Sequence, residues 1–173
     1  MVNIRKEDGI IKISVIGGSK IGTDIYDLAY EVGREIAKNK AVLICGGLSG
    51  VMEAACKGAS EEEGLTIGIL PFTDESYANE YVDIKIPTGI GLARNLSVVL
   101  SAHAIIAVDG SYGTLSEISY AMTFKIPVIG LKTWELKPYY SKKSLNIIRA
   151  GTAGEAVKKA IREAKKYRDG ISS

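Results

Sequence analysis

The sequence predicts an α/β protein: a doubly wound, mostly parallel sheet with helices on both faces. Three observations predict it. Short runs of continuously apolar residues recur along the chain, as strands buried on both faces require. Stretches with an apolar period of three to four residues separate them, the pattern of helices lying on such a sheet. Glycine clusters stand at the junctions where a run ends and the next helical stretch begins. With 173 residues and roughly 150 residues per domain, residues 1–173 are expected to form one domain of Rossmann-like type.

The elements follow in order. Residues 11–17 (IKISVIG) form the first buried strand. Ile25, Leu28, Ala29, Val32 and Ile36 then fall on one helical face, with Thr23 or Asp24 as the expected cap. Residues 41–45 (AVLIC) are a second strand and residues 51–62 a second helix. Residues 65–70 (LTIGIL) are a third strand, stopped by Pro71. The polar stretch 72–81 reads as a loop, and 82–86 (VDIKI) as a short strand. Residues 92–102 are expected to form a helix turning Leu92, Leu96, Val99 and Leu100 inward. Residues 103–108 are the next strand. Residues 114–124 are a helix with Leu115, Ile118, Ala121 and Met122 inward, and 127–131 (PVIGL) a further strand. Residues 132–150, with Trp134, Tyr139 and Tyr140, show no periodic pattern. The last helix opens on the capping box Thr152-x-x-Glu155 and carries Val157, Ala160, Ile161 and Ala164 as its apolar stripe.

Composition excludes several classes. The chain is 46% hydrophobic and 24% charged, enough for a core and unlike a disordered chain. Its formal net charge is +2, with no block of like charge to suit nucleic acid or a membrane surface. No 18-residue apolar run suits a membrane span, and residues 1–8 lack the apolar stretch of a signal peptide. A cytoplasmic protein is expected. Cys45 and Cys56 have neither a disulfide-framework nor a zinc spacing and are expected in the core. With one histidine, His103, a histidine-rich metal site or a Ser-His nucleophile is not expected, nor is any dedicated metal site.

The glycine loops carry the chemistry. Gly17-Gly18-Ser19 follows the first strand, Gly46-Gly47-Leu48-Ser49-Gly50 the second, and Gly110-Ser111-Tyr112-Gly113-Thr114 the strand ending near Asp109. Each lies between a strand end and a helix start, where unpaired N–H groups and the helix dipole attract an anion and glycine lets phosphate approach the backbone. On one sheet edge they converge on one crevice. The spacing is not that of a dinucleotide G-x-G-x-x-G loop, and no P-loop is present. Arg94, expected in the first turn of its helix, opposes the helix dipole there and has two readings: an anion-binding fork, or a solvated surface arginine. Asn95 beside it is a candidate contact to a ribose or base. Glu117 has two readings: a carboxylate at the mouth of the phosphate loop, or the closing residue of a Thr114-x-x-Glu117 capping box. Met52, Tyr112 and Phe72 are candidates for reading the ring of a ligand.

GGLSGVMEA (residues 46–54), GLARN (91–95) and DGSYGTLSE (109–117) resemble the LOG-like (SLOG) nucleotide-binding superfamily, and most closely its molybdenum-cofactor-carrier-like branch. The resemblance runs from about residue 11 to residue 131. For LOG proteins it implies cleavage of nucleoside 5′-monophosphates to free base and ribose 5-phosphate, with Arg94 and Glu117 at the two catalytic positions and Gly110, Ser111, Gly113 and Thr114 in the phosphate loop. Asp109 stands where LOG carries proline, Ser111 where it carries glycine and Asn95 where it carries lysine; "ARN" matches the carrier-like branch. That branch implies a protein that holds a pterin phosphate without turnover. The expected function is therefore binding of a nucleoside monophosphate or molybdenum-cofactor phosphate as a carrier, with phosphoribohydrolase as the alternative and nucleotide sensing a third reading. No cofactor is required beyond that ligand. The resemblance also implies a homodimer or higher homo-oligomer. The lysine decarboxylase label given to such proteins does not suit this chain, in which Lys20 and Lys57 read as solvated or phosphate-facing rather than as Schiff-base lysines.

Overall fold

The computed structural model describes residues 9–136 and 147–171. Among the described residues, seven strands form one all-parallel sheet: β1 (Lys12–Gly17), β2 (Val42–Cys45), β3 (Thr66–Leu70), β4 (Ile84–Pro87), β5 (Ala104–Val108), β6 (Val128–Leu131) and β7 (Ile147–Arg149). Their spatial order is β4-β3-β2-β1-β5-β6-β7. The chain winds outward from β1 to β4, crosses back to β5 beside β1, and winds outward the other way. The switch point lies between β1 and β5, and a crevice opens there at the carboxyl ends of the strands.

Five α-helices among the described residues cover the sheet: α1 (Thr23–Lys38), α2 (Val51–Glu61), α3 (Arg94–Leu100), α4 (Tyr112–Thr123) and α5 (Ala153–Ile171). The period of two in each strand divides the core between two faces. Ile13, Val15, Leu43, Ile106 and Val108 pack with buried residues of α1, α2 and α5. Ile16, Val42, Ile44, Ile105 and Ala107 pack with Val98 and Val99 of α3 and Ile118 and Ala121 of α4. Ser14 is a polar residue inside this core, and its hydroxyl donates to the Val98 carbonyl at 2.7 Å. The buried Thr66 hydroxyl donates to the Tyr81 carbonyl at 2.7 Å and bracing of β3 against the approach to β4 follows. Both hydroxyls therefore keep a partner where an unpaired one would be costly. Cys45 and Cys56 are buried and unbridged, with sulfurs 3.4 Å apart.

Four local expectations need correction. The N-cap of α1 is Gly22, with no side-chain cap. Asp24 lies inside the first turn instead, where its charge suits the dipole, and its Oδ2 is 3.3 Å from Lys132 Nζ. The expected helix at 92–102 is a 3₁₀ turn (Gly91–Ala93) leading into the shorter α3, and its inward face differs from the apolar stripe. Arg94, Asn95, Val98 and Val99 are buried, while Leu92 is 79% and Leu100 50% exposed. Val99 is inward as expected, but Arg94 and Asn95 take the other inward positions, lining the crevice, and Leu92 and Leu100 are turned outward. The N-cap of α4 is Ser111, with Thr114 Oγ1 accepting from Ser111 N at 3.3 Å. Glu117 sits beyond the first turn and caps nothing. Finally, 132–150 contains β7, a three-residue edge strand too short for a periodic signal. Tyr139 and Tyr140 lie outside the described residues. At α5 the capping box holds: Thr152 Oγ1 accepts from Glu155 N at 3.2 Å, while Glu155 Oε2 accepts from Gly151 N at 2.8 Å.

Candidate functional site

A cleft of about 150 Å³ lies at the switch point. The end of β1 contributes Val15, Ile16, Gly17 and Ser19, and the β2 loop contributes Gly46 and Leu48. Met52 enters from α2, Leu92, Arg94 and Asn95 from the start of α3, and Ser111, Gly113, Thr114 and Glu117 from α4. Ten of the residues anticipated from sequence thus line one space.

The other anticipated glycine-loop residues stand behind this wall. The Gly18 carbonyl accepts from Val51 N at 3.0 Å, tying the first loop to α2. Gly47 N approaches Cys45 Sγ at 3.2 Å, and Ser49 Oγ donates to the Ser19 carbonyl at 3.3 Å. Gly50 holds φ +71 and ψ −128, a conformation glycine alone adopts without strain, and turns the chain into α2. Gly110 is pressed against Trp134: a Cβ there would stand 2.5 Å from the indole nitrogen. Of the ring-reading candidates only Met52 lines the cleft. Phe72 pairs instead with Tyr77, with centroids 4.6 Å apart.

Arg94 dominates the electrostatics of the cleft, being the one cation among the described residues that line it. It is 6% exposed. Its Nη1 donates to Asn95 Oδ1 at 2.7 Å and lies 3.7 Å from Glu117 Oε1, while its Nε has no partner. The guanidinium lies against Gly46, where a Cβ would stand 2.4 Å from Nη2. Burial lowers the Arg94 pKa, and the Glu117 and Cys45 groups oppose that shift. Burial raises Glu117 to about 7 against the pull of Arg94. Glu117 therefore holds its proton about half the time at neutral pH and can either give or take one. Asn95 uses both ends of its amide: Oδ1 receives Arg94, and Nδ2 donates to Ser116 Oγ at 3.2 Å. Ser116 Oγ in turn donates to the Gly113 carbonyl at 2.7 Å. Asn95 is thus a brace between Arg94 and the first turn of α4. In that turn, the N–H groups of Tyr112 and Gly113 have no intrahelical acceptor.

A buried guanidinium with a spare donor, beside a helix N-terminus and glycine backbone, is an arrangement that receives phosphate or carboxylate. A larger depression of about 830 Å³ between α1 and the start of α5 does not compete, because Asp24, Asp27, Glu31 and Glu35 line it and repel an anion. Among the described residues, no group of three or more His, Cys, Asp or Glu side chains is placed to hold a metal ion. No helix among them is long and apolar enough to cross a membrane.

Sequence reasoning missed Leu48 and Leu92 as lining residues, and it missed the support behind the third loop. Thr133 Oγ1 donates to the Asp109 carbonyl, and Trp134 Nε1 donates to the Ser111 carbonyl at 3.3 Å. Arg149 of β7 donates to the carbonyls of Thr133 at 3.0 Å and Trp134 at 2.7 Å. These contacts span 15 to 24 residues, and no local pattern announces them.

Known proteins resemble this chain in fold, in sequence or in both. The molybdenum cofactor binding protein of the phototrophic bacterium Rippkaea orientalis is 34% identical with a TM-score of 0.77, the match covering 99% of this chain and 100% of that one. The molybdenum cofactor carrier protein of Chlamydomonas reinhardtii is 32% identical with a TM-score of 0.76, covering 88% and 99%. An uncharacterized protein of Archaeoglobus fulgidus is 42% identical over 135 residues, 73% of this chain and 89% of that one. A probable cytokinin riboside 5′-monophosphate phosphoribohydrolase of Oryza sativa is 30% identical over 112 residues, 62% of this chain and about half (49%) of the rice protein. DNA processing protein A of Streptococcus pneumoniae, 18% identical with a TM-score of 0.60, shares the fold. The SLOG cluster4 family model matches residues 10–164, a span holding every loop of the cleft, and the chain belongs to that family.

Proposed function

We propose that this protein binds a phosphorylated nucleotide-like ligand, a nucleoside monophosphate or the pterin phosphate of the molybdenum cofactor, and acts as its carrier. The observation that carries this reading is the buried Arg94 guanidinium, whose Nε lacks a partner while it lines a cleft at the N-terminus of α4. An arriving phosphate would accept from Arg94 and from the first-turn N–H groups, relieving an orphaned buried donor. Gly17, Ser19, Gly46, Ser111, Gly113 and Thr114 let it approach closely, with Gly18, Gly47, Ser49, Gly50 and Gly110 shaping the loops behind them. The likeness to two proteins named for the molybdenum cofactor supports a carried ligand.

Glu117 favours a second reading, a phosphoribohydrolase. A carboxyl raised to about 7 suits proton transfer at neutral pH. In that reaction the C1′–N bond breaks, its electron pair leaves with the base, and water oxygen bonds to C1′. Glu117 takes the proton that water loses, the base gains one, and Arg94 balances charge.

One experiment separates the readings. Adenosine monophosphate is titrated calorimetrically and, in parallel, incubated with the protein and chromatographed. Binding without release of adenine supports the carrier. Release of adenine and ribose 5-phosphate, lost in Glu117→Gln, makes the protein an enzyme. Failure of this nucleotide to bind, together with failure of the released molybdenum cofactor, overturns both. We also propose a homo-oligomer: Leu92, Leu100 and Phe124 expose apolar surface on the α3–α4 side. Light scattering is expected to give at least twice the chain mass.

A further inference from the structure

The chain has two cysteines, and the fold brings them together. Cys45 ends β2 and Cys56 lies in α2. Both are fully buried, and their sulfurs are 3.4 Å apart. Gly47 N approaches Cys45 Sγ at 3.2 Å, so Cys45 acts as the acceptor of the pair. Accepting from Cys56 lowers the Cys45 pKa against burial, and the Gly47 N–H and the Arg94 charge lower it further. Cys56 is raised well above its ordinary value, first by its bond to Cys45 and then by burial. Two touching thiols of unequal acidity are set up for a disulfide. The more acidic attacks an oxidant, and the other displaces the oxygen left behind.

The pair stands directly behind the cleft. The residue after Cys45 is Gly46, which lies against the Arg94 guanidinium: a Cβ there would stand 2.4 Å from Nη2. Met52, which lines the cleft, is one helical turn from Cys56 on the same face of α2. A disulfide holds its sulfurs about 2.05 Å apart. In a close-packed interior, closing the gap shifts the end of β2 and α2 toward each other. Arg94 does not follow Gly46 freely, because its Nη1 is bonded to Asn95 Oδ1 at 2.7 Å. The Gly47 N–H also loses its thiol acceptor.

A surface segment adjoins the pair. Residues 72–77 are all exposed. Asn79, just beyond them, is tied to the loop that follows Cys45: its N donates to the Gly47 carbonyl and its Nδ2 to the Leu48 carbonyl, each at 2.9 Å. The same side chain acts on the Cys56 thiol. Release of these two hydrogen bonds is a local opening far short of unfolding, and it suffices for a small oxidant.

We infer that Cys45 and Cys56 form a reversible disulfide, closed by hydrogen peroxide and reopened by a dithiol, that weakens phosphate binding in the cleft. This rests on the phosphate-binding reading above. The Cys45 thiolate attacks one peroxide oxygen and the O–O bond breaks. The other oxygen leaves as water, carrying the proton that Cys45 lost. The Cys56 sulfur then bonds to the Cys45 sulfur, the S–O bond breaks, and that oxygen leaves as water with the Cys56 proton. Two electrons pass from the sulfurs to the peroxide. Oxidation releases the ligand, and reduction readmits it.

The test treats reduced protein with hydrogen peroxide, then denatures it, alkylates it with iodoacetamide and weighs it intact. The oxidised chain is expected to be two hydrogens lighter and unalkylated, whereas the untreated chain is alkylated at both cysteines. Calorimetry with adenosine monophosphate, or with the released molybdenum cofactor where only that binds, should show affinity at least about tenfold weaker after oxidation and restored by dithiothreitol. By linkage, saturating ligand should then raise the midpoint potential of the disulfide by about 30 mV. Cys56→Ala should stop at a Cys45 sulfenic acid, trapped by dimedone. Free thiols or added oxygen in the peroxide-treated wild type, a disulfide between two chains, or equal affinities of the oxidised and reduced protein would each overturn the switch alone. A reduced protein that binds neither ligand would overturn the phosphate-binding reading with it.

Discussion

The Arg94 guanidinium and the Glu117 carboxyl lie 3.7 Å apart, each side chain less than a tenth exposed. No hydrogen bond joins them: Arg94 Nη1 is bonded to Asn95, and Nε is bonded to nothing. Two charges have been taken from water and only partly compensated, an arrangement that costs stability unless something completes it. The raised Glu117 pKa is one sign of that cost, and the orphaned Nε is another.

Glu117 makes stability depend on pH in a defined direction. Its folded pKa of about 7 lies above the ordinary 4.5. Between those values the folded protein binds more protons than the unfolded chain, so stability falls as pH rises. Relative to Glu117→Gln, the wild type should be more stable at pH 5 than at pH 8, with the loss concentrated between pH 4.5 and 7. Thermal melts of both proteins across that range measure the difference. A difference independent of pH would refute the raised value.

Arg94→Lys keeps the charge and removes the fork. A lysine cannot donate to Asn95 and a phosphate from one rigid plane, and it is more strongly hydrated. Affinity for adenosine monophosphate should fall at least about tenfold, the scale of one charge-assisted hydrogen bond. Calorimetric titration measures it, and affinity within twofold of wild type would remove Arg94 from the ligand contacts.

Two glycines of one loop should fail differently. At Gly50 both the φ of +71 and a Cβ contact of 2.4 Å with the Gly18 carbonyl oppose a side chain. Gly50→Ala should lose about 2 kcal/mol or more of stability, read as a lowered urea midpoint. At Gly46 no positive φ is involved, and the clash is with the far end of the Arg94 side chain rather than with backbone. Gly46→Ala should keep most of its stability and lose phosphate affinity, because the guanidinium is what must move. Loss of stability in both variants without the contrast in binding would contradict the placement of Arg94 against Gly46.

Most strands were legible because they are buried on both faces and read as unbroken apolar runs, residues 104–108 being the plainest case. Arg94 and Glu117 were legible because their chemistry is awkward where they stand: a cation opening a helix, a carboxyl near a phosphate loop. The same awkwardness hid the geometry of α3. Periodicity assigns Leu92 and Leu100 to the core, whereas Arg94 and Asn95 take the inward positions to serve the cleft. Likewise, Thr114 and Glu117 have the spacing of a cap, but Ser111 starts the helix earlier. The brace from Arg149 through Thr133 and Trp134 was illegible because its contacts join β7 and the segment after β6 to the third loop.

A second titrating group opposes Glu117 from the other end of the sheet. His103 Nδ1 accepts from Lys12 N at 3.2 Å, and His103 N donates to the Lys12 carbonyl at 2.9 Å, so the imidazole closes the β1–β5 pairing. Burial lowers the His103 pKa below 6.5, and the Lys12 and Arg168 charges lower it further. Protonating Nδ1 would set a donor against the Lys12 N–H. The stability that the neutral ring contributes is fully present above pH 6.5 and is lost as pH falls through the depressed folded value. The wild type should therefore lose ground to His103→Asn below pH 6.5, opposite in sign to its comparison with Glu117→Gln. The ring protons of His103 followed by NMR should titrate with a midpoint below 6.5, and a midpoint at or above that value would contradict the Lys12 contact.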